Sequence, residues 1–280
     1  MSFLYNLISL FPLKILYFLS TFLSTFLPFL YRGKVVRNNL VKSFPDMSEE
    51  DINKIHKSFY TNFCDLFVET IKSYSISESE LRERVSFKNF HEINDKLNSN
   101  KKILVLASHQ CNWEWLLLAS QLNLSKPLNV IYKTISDKKF NKIMMSSRSR
   151  FGSILIDSKR ALLYLQRNLK EVGVLAVVAD QSPIKKNRKS WRKLFNQDTA
   201  FFKSVEYLPR IMNSYVYFAS MQRTSRGHYS VNFDLISDPN LNSKKDILSE
   251  YVFKLENQIK SKPDEWLWTH NRWKFTRDDI

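Results

Sequence analysis

The chain has 280 residues, 44% hydrophobic and 25% charged, enough for one sizeable core with at most a small appended element. Forty-three Lys and Arg against 27 Asp and Glu leave a net charge of +16, which favours acidic partners: nucleic acid, an anionic membrane face or an acidic protein. Only four glycines occur, and neither GxGxxG nor a P-loop pattern is present, which excludes a glycine-rich nucleotide cradle; two cysteines, Cys64 and Cys111, cannot build a disulfide framework and suit a reducing compartment.

From Phe3 to Tyr31 the chain is nearly all Phe, Leu, Ile, Ser and Thr, with Lys14 its one charge and Pro12 and Pro28 inside it. As a helix at about 1.5 Å per residue this run exceeds a hydrocarbon core of roughly 30 Å. A cleaved signal peptide fits poorly, because no basic region precedes the run and the first alanine is Ala107. The expectation is a membrane anchor over residues 1–32, either crossing the bilayer or lying in its interface with Lys14 snorkelling. Ser20, Thr21, Ser24 and Thr25 make a small polar stripe suited to packing on another helix. Arg32, Lys34, Arg37 and Lys42 follow, and by the positive-inside bias they place residues 33–280 on the cytoplasmic side of the membrane.

Beyond the anchor, Ser48 with Glu50 and Asp51 starts a helix whose apolar stripe is Ile52, Ile55, Phe59, Phe63, Phe67 and Ile71. A shorter helix over 89–100 leads into the strand-like run 101–108, then a helix over 112–122, a strand over 128–133 and a basic helix over 138–151. A strand over 153–157, a helix over 158–171 and the continuous apolar run 172–180, typical of a strand buried on both faces, come next. Two alternating strands, 215–223 and 229–236, and a long helix ending near Pro263 complete the pattern. Strands alternating with helices predict an α/β fold, a mostly parallel mixed sheet flanked by helices and entered by the N-terminal apolar helix.

The stretch VLASHQCNWEWLLLAS, residues 105–120, concentrates the chemistry. Ser108 and His109 fall where an apolar strand ends, the edge at which open α/β sheets bind ligands. His109 and Glu114 are five apart, which on one continuous helix turns their side chains about 140° from each other. With His109 in the turn and Glu114 in the first helical turn, the carboxylate can hold one ring nitrogen and leave the other as a base. A metal site lacks a partner cluster, and Cys111 sits too near His109 in sequence to pair with it as a nucleophile. A histidine merely satisfied in a buried turn stays open on this motif alone.

The motif HxxxxE after a strand resembles the signature of the glycerolipid acyltransferase superfamily, and SHQCNWEW resembles its bacterial lipid A biosynthesis (lauroyl/myristoyl) branch. RNNLVKSFPDMSEED (37–51), VIYKTISDKKFNKIMMSSRSRFG (130–152), VVADQSP (177–183) and EWLWTHNRWK (265–274) resemble further segments of that branch in order along the chain. The resemblance implies His109 as general base with Glu114 as its orienter, and direct attack of an acceptor hydroxyl on a thioester with no acyl-enzyme. It implies Arg148 for oxyanion or phosphate stabilisation, and Asp180 as a catalytic-site residue that orients Arg148 or caps the following turn. It further implies Asn112, Tyr132, Lys133, Arg150 and Gln181 as substrate-binding residues, and a place at the bacterial inner membrane. After DQSP this chain reads IKKNRKSWRKLF, without the usual glycine-containing turn, which departs from the branch near the acceptor contacts.

Lys185, Lys186, Arg188 and Arg192 belong to a basic loop expected to dock an acyl carrier protein or phosphorylated headgroups. The tryptophans of 265–274 read as core packing with an interfacial edge, and His270 as a structural histidine. The expected activity is acyl transfer from a carrier-protein or coenzyme A thioester to a lipid hydroxyl, foremost on a lipid A precursor, with no cofactor, metal or nucleic acid. Acylation of a lysophospholipid or amino-acid-containing lipid, and a non-catalytic lipid-binding protein, are the alternatives; hydrolysis ranks lower because no GxSxG elbow exists.

Overall fold

The computed structural model describes residues 2–184, 189–241, 246–275 and 277. The apolar run forms two helices, α1 (Ser2–Leu10) and α2 (Leu13–Leu30), instead of one. Pro12 is the N-cap of α2; proline carries no amide hydrogen and does not continue a helix from the preceding turn. Arg32, with φ 56°, turns the chain into α3 (Gly33–Ser43). A Cβ on Gly33 would lie 2.1 Å from the Pro28 carbonyl oxygen, so this turn requires glycine. Ser48 caps α4 (Glu49–Lys72) by accepting from the Asp51 amide, as its sequence predicts. Of the apolar stripe read along α4, Phe67 is exposed.

After α5 (Glu78–Arg84), β1 (Val85–Phe87) and α6 (Phe90–Asn98) come alternating units: β2 (Lys102–Ala107), α7 (Trp113–Asn123), β3 (Leu128–Tyr132), α8 (Lys138–Arg148), β4 (Ile154–Asp157), α9 (Ala161–Asn168) and β5 (Val174–Val178). A hairpin of β6 (Lys189–Leu194) and β7 (Gln197–Phe202) leads to α10 (Ser204–Met212), β8 (Ser214–Ser225), β9 (His228–Ser237) and α11 (Ile247–Ser261). The segment expected as a basic loop is therefore a paired strand from Lys189 onward.

The seven-stranded sheet runs β1-β9-β8-β2-β5-β3-β4, with β8 and β9 antiparallel and every other pair parallel. This is the expected mostly parallel mixed sheet. Along β2, Leu104 and Leu106 join one apolar core with Trp266 and Trp268, while Ile103, Val105 and Ala107 join the other with Trp115. Burial on both faces explains why β2 reads as an unbroken apolar run. Leu13 and Leu16 of α2 enter the second core, so the N-terminal segment shares the packing of the rest of the chain.

Candidate active site at the carboxyl edge of β2 and β5

Strands β2 and β5 are parallel neighbours in a register that pairs Ala107 with Val178. Two residues beyond that pair, the chain carries His109 on one side and Asp180 on the other. His109 Nδ1 lies 2.6 Å from Asp180 Oδ1, and the His109 amide donates to Oδ2 at 2.8 Å. Trp266 Nε1 donates to the same Oδ2 at 2.7 Å. Burial works to raise the Asp180 pKa, but the His109 ring and these donors outweigh it and hold the carboxyl below its ordinary value. A carboxylate only accepts, so Nδ1 carries a hydrogen, and in the neutral ring the lone pair sits on Nε2. The Gln181 amide faces Nε2 at 3.3 Å.

The loop that presents His109 is fixed from three sides. Asn112 caps α7 by accepting from the Trp115 amide, and Cys111 adopts φ 54°. The segment after α11 pairs across the loop, with Cys111 N donating to Glu265 O and Leu267 N to His109 O, both at 3.0 Å. Cys111 is buried, its thiol pushed well up by burial and hydrogen-bonded to Glu265, so it is no nucleophile.

Glu114 occupies the first turn of α7, as expected, but it does not orient His109. Arg148, at the end of α8, grips it with two bonds: Nε to Oε2 at 2.8 Å and Nη2 to Oε1 at 2.6 Å. Burial opposes the arginine's charge, yet the Glu114 bonds outweigh burial and hold the Arg148 pKa above its ordinary value. Trp113 stands between the two pairs, its ring edge-on to His109 at 4.8 Å and its Nε1 donating to Glu114 Oε1 at 3.2 Å. The expected partners are exchanged: Asp180 serves His109 and Glu114 serves Arg148. The physical reason is topological, because strand adjacency brings position 180 beside position 109 while the first turn of α7 faces α8.

The expected substrate contacts divide. Gln181 touches His109, and Tyr132 lies close enough to act electrostatically on Arg148. Lys133 is exposed just past β3. Asn112 is fully buried, its oxygen capping α7 and its amide donating to Glu69, so it is a structural residue in place of a substrate contact. Arg150 donates to the Ser73 and Ile76 carbonyls, tying down the end of α4. Lys185, Lys186 and Arg188 lie outside the described residues. Arg192 is bound to Asp246 at 2.6 Å and Glu206 at 3.3 Å, which engages the cation expected to meet a carrier or phosphate. His270 Nε2 accepts from the Ser182 amide, and burial holds its pKa down at about 4, as befits a structural histidine.

Two residues at the site are given no role there by the sequence reading. Trp266 reaches Asp180 from the far end of the chain. Glu69 of α4 is fully buried and accepts from Tyr17, Tyr229 and Asn112. Only its apolar surroundings on the helix, at a position reading as buried, could have flagged it.

The family model described as bacterial lipid A biosynthesis acyltransferase matches residues 2–275. No curated protein matches the chain.

Proposed function

Since the chain belongs to the bacterial lipid A biosynthesis acyltransferase family, we propose that it moves a fatty acyl group from a thioester donor to a hydroxyl of a lipid A precursor, with His109 as the general base. That it is an acyltransferase of lipid A biosynthesis follows from the family; the donor, the acceptor atom and the residue roles are the proposal. The observation that carries it is the Asp180 clamp on Nδ1, which leaves Nε2 as a basic nitrogen at the sheet edge.

Nε2 takes the proton of the acceptor hydroxyl as its oxygen bonds to the thioester carbonyl carbon. The carbon–sulfur bond then breaks, and the leaving thiolate receives that proton from Nε2. Negative charge gathers on the carbonyl oxygen in between. Arg148 spends Nε and Nη2 on Glu114, and its Nη1 is the donor that this pair does not occupy. A guanidinium locked in one orientation is pre-organised to stabilise the oxyanion or an acceptor phosphate. A net charge of +16 favours an acidic carrier protein as donor and an anionic lipid surface as the workplace.

The test is acyl transfer by purified protein, with acyl carrier protein and coenzyme A thioesters offered separately to a lipid A precursor. His109→Ala abolishes transfer while the variant stays folded. An unchanged rate in that variant sinks the reading, and thioester loss that is equally fast without acceptor would replace it with hydrolysis.

A further inference from the structure

Helix α2 lies antiparallel along α4 and is tied to it at both ends. Near its start, Lys72 Nζ donates to the Phe11 carbonyl at 3.2 Å; past its end, Tyr60 Oη donates to the Tyr31 carbonyl at 2.6 Å. Between these ties, Tyr17 Oη donates to Glu69 at 2.7 Å and Ser20 Oγ donates to Asp65. Arg226, on the β8–β9 hairpin, donates to both Asp65 oxygens, to Thr21 Oγ1 at 2.9 Å and to the Tyr17 carbonyl at 3.0 Å. Part of the polar stripe expected to meet another helix thus meets buried charge of the catalytic fold. A helix of 18 residues, about 27 Å long, cannot cross a bilayer with these bonds intact. Asp65, Glu69, Arg223 and Arg226 would travel with it into hydrocarbon, from which charged groups are expelled.

The opposite face of the same helix is apolar and exposed. Phe18, Phe22, Phe26 and Phe29 recur at helical spacing, with Phe18 75% and Phe29 88% exposed, and α1 adds Leu4, Leu7 and Leu10. Lys14, one helical turn before Phe18, is exposed, and so is Lys34 in the helix that follows α2. Such a face with basic flanks fits an anionic leaflet. Helix α1 also borders the site: it packs on α8, and its Tyr5, bonded to the Thr70 carbonyl at 3.0 Å, lies within electrostatic reach of Glu114 and Arg148.

We infer that α1 and α2 lie in the plane of a single leaflet, without crossing it, and form a lipid-facing wall beside the Arg148–Glu114 side of the site. The acceptor lipid then reaches His109 by sideways movement within that leaflet. This rests on the reading of the chain as a lipid acyltransferase and goes beyond it, since a crossing anchor would serve the same chemistry.

The test uses the full chain bound to vesicles containing phosphatidylglycerol. Spin labels are placed singly at Phe18→Cys, Phe22→Cys and Phe29→Cys, with the native Cys64 and Cys111 buried. Their depth is read from relaxation by oxygen against a water-soluble nickel complex. In-plane helices give three similar, shallow depths on one side of the bilayer midplane. Depths that progress through the midplane from Phe18 to Phe29 overturn the inference. So do labels that stay in water, or that are immobilised by a second copy of the chain without lipid. Acyl transfer by the same labelled proteins is measured in parallel: lost transfer with shallow labels counts against the proposed function alone, and retained transfer with crossing labels counts against the in-plane placement alone.

Discussion

His109 Nδ1 meets Asp180 Oδ1 at 2.6 Å across 71 residues of sequence, because both follow the ends of adjacent parallel strands. In the proposed reaction the carboxylate fixes the tautomer and stabilises the imidazolium that forms as His109 takes the proton. Asp180→Asn keeps the shape but offers an amide where the ring nitrogen donates. It lowers kcat by about 10²–10⁴-fold, the range typical of general acid–base catalysis and its orienting carboxylate, with the substrate KM little changed. Steady-state kinetics on the folded variant check this; wild-type kcat would remove Asp180 from the mechanism.

Glu114 and Arg148 act as a unit, with side chains 6% and 19% exposed. Arg148→Ala leaves a carboxylate in a buried place without its partner and destabilises the fold by about 3–5 kcal/mol. The double variant Glu114→Gln/Arg148→Met removes both charges and recovers much of that stability in thermal melts, yet it transfers no faster than Arg148→Ala. Full activity in the double variant would show that the pair is purely structural.

Burial raises the Glu69 pKa, outweighing the nearby Arg223 and the bonds from Tyr229, Tyr17 and Asn112. A carboxyl whose folded pKa lies above its unfolded value of about 4.3 contributes stability below that value and loses it as pH rises through the folded pKa. Glu69→Gln carries no such charge, so its melting temperature changes less with rising pH above about 4.3 than that of the native chain. Parallel slopes for the two proteins in calorimetric scans would show that Glu69 does not titrate in this window.

Gly227 has φ 73°, and a Cβ there would sit 2.2 Å from Tyr17 Oη. Gly227→Ala therefore costs left-handed strain of about 1–2 kcal/mol and also pushes α2 away from the hairpin. Gly152, with φ 95° and open space around it, is the control, since Gly152→Ala meets no neighbouring atom. Chemical denaturation should find the first variant clearly less stable than the second and weaker in vesicle binding.

Sequence alone carried the local elements and the strand–turn–helix junction at which the candidate site lies. The Ser48 cap, the doubly buried run 172–180 and the strand–turn–helix junction around His109 are all present, because capping, apolar periodicity and strand-end polarity act over a few residues. The motif and its ordered companions also named the family that the match over 2–275 shows. Partner choice was different in kind. Whether His109 takes Glu114 or Asp180 depends on β2 lying beside β5 in a given register, and on where α8 ends. Neither is written in a spacing of five residues. The same holds at the amino terminus: composition marked residues 3–31 as apolar, but only packing shows that Tyr17, Ser20 and Thr21 are spent on Asp65, Glu69 and Arg226. Hydropathy counts the apolar surface of a helix; tertiary structure decides which of its faces is left to meet lipid.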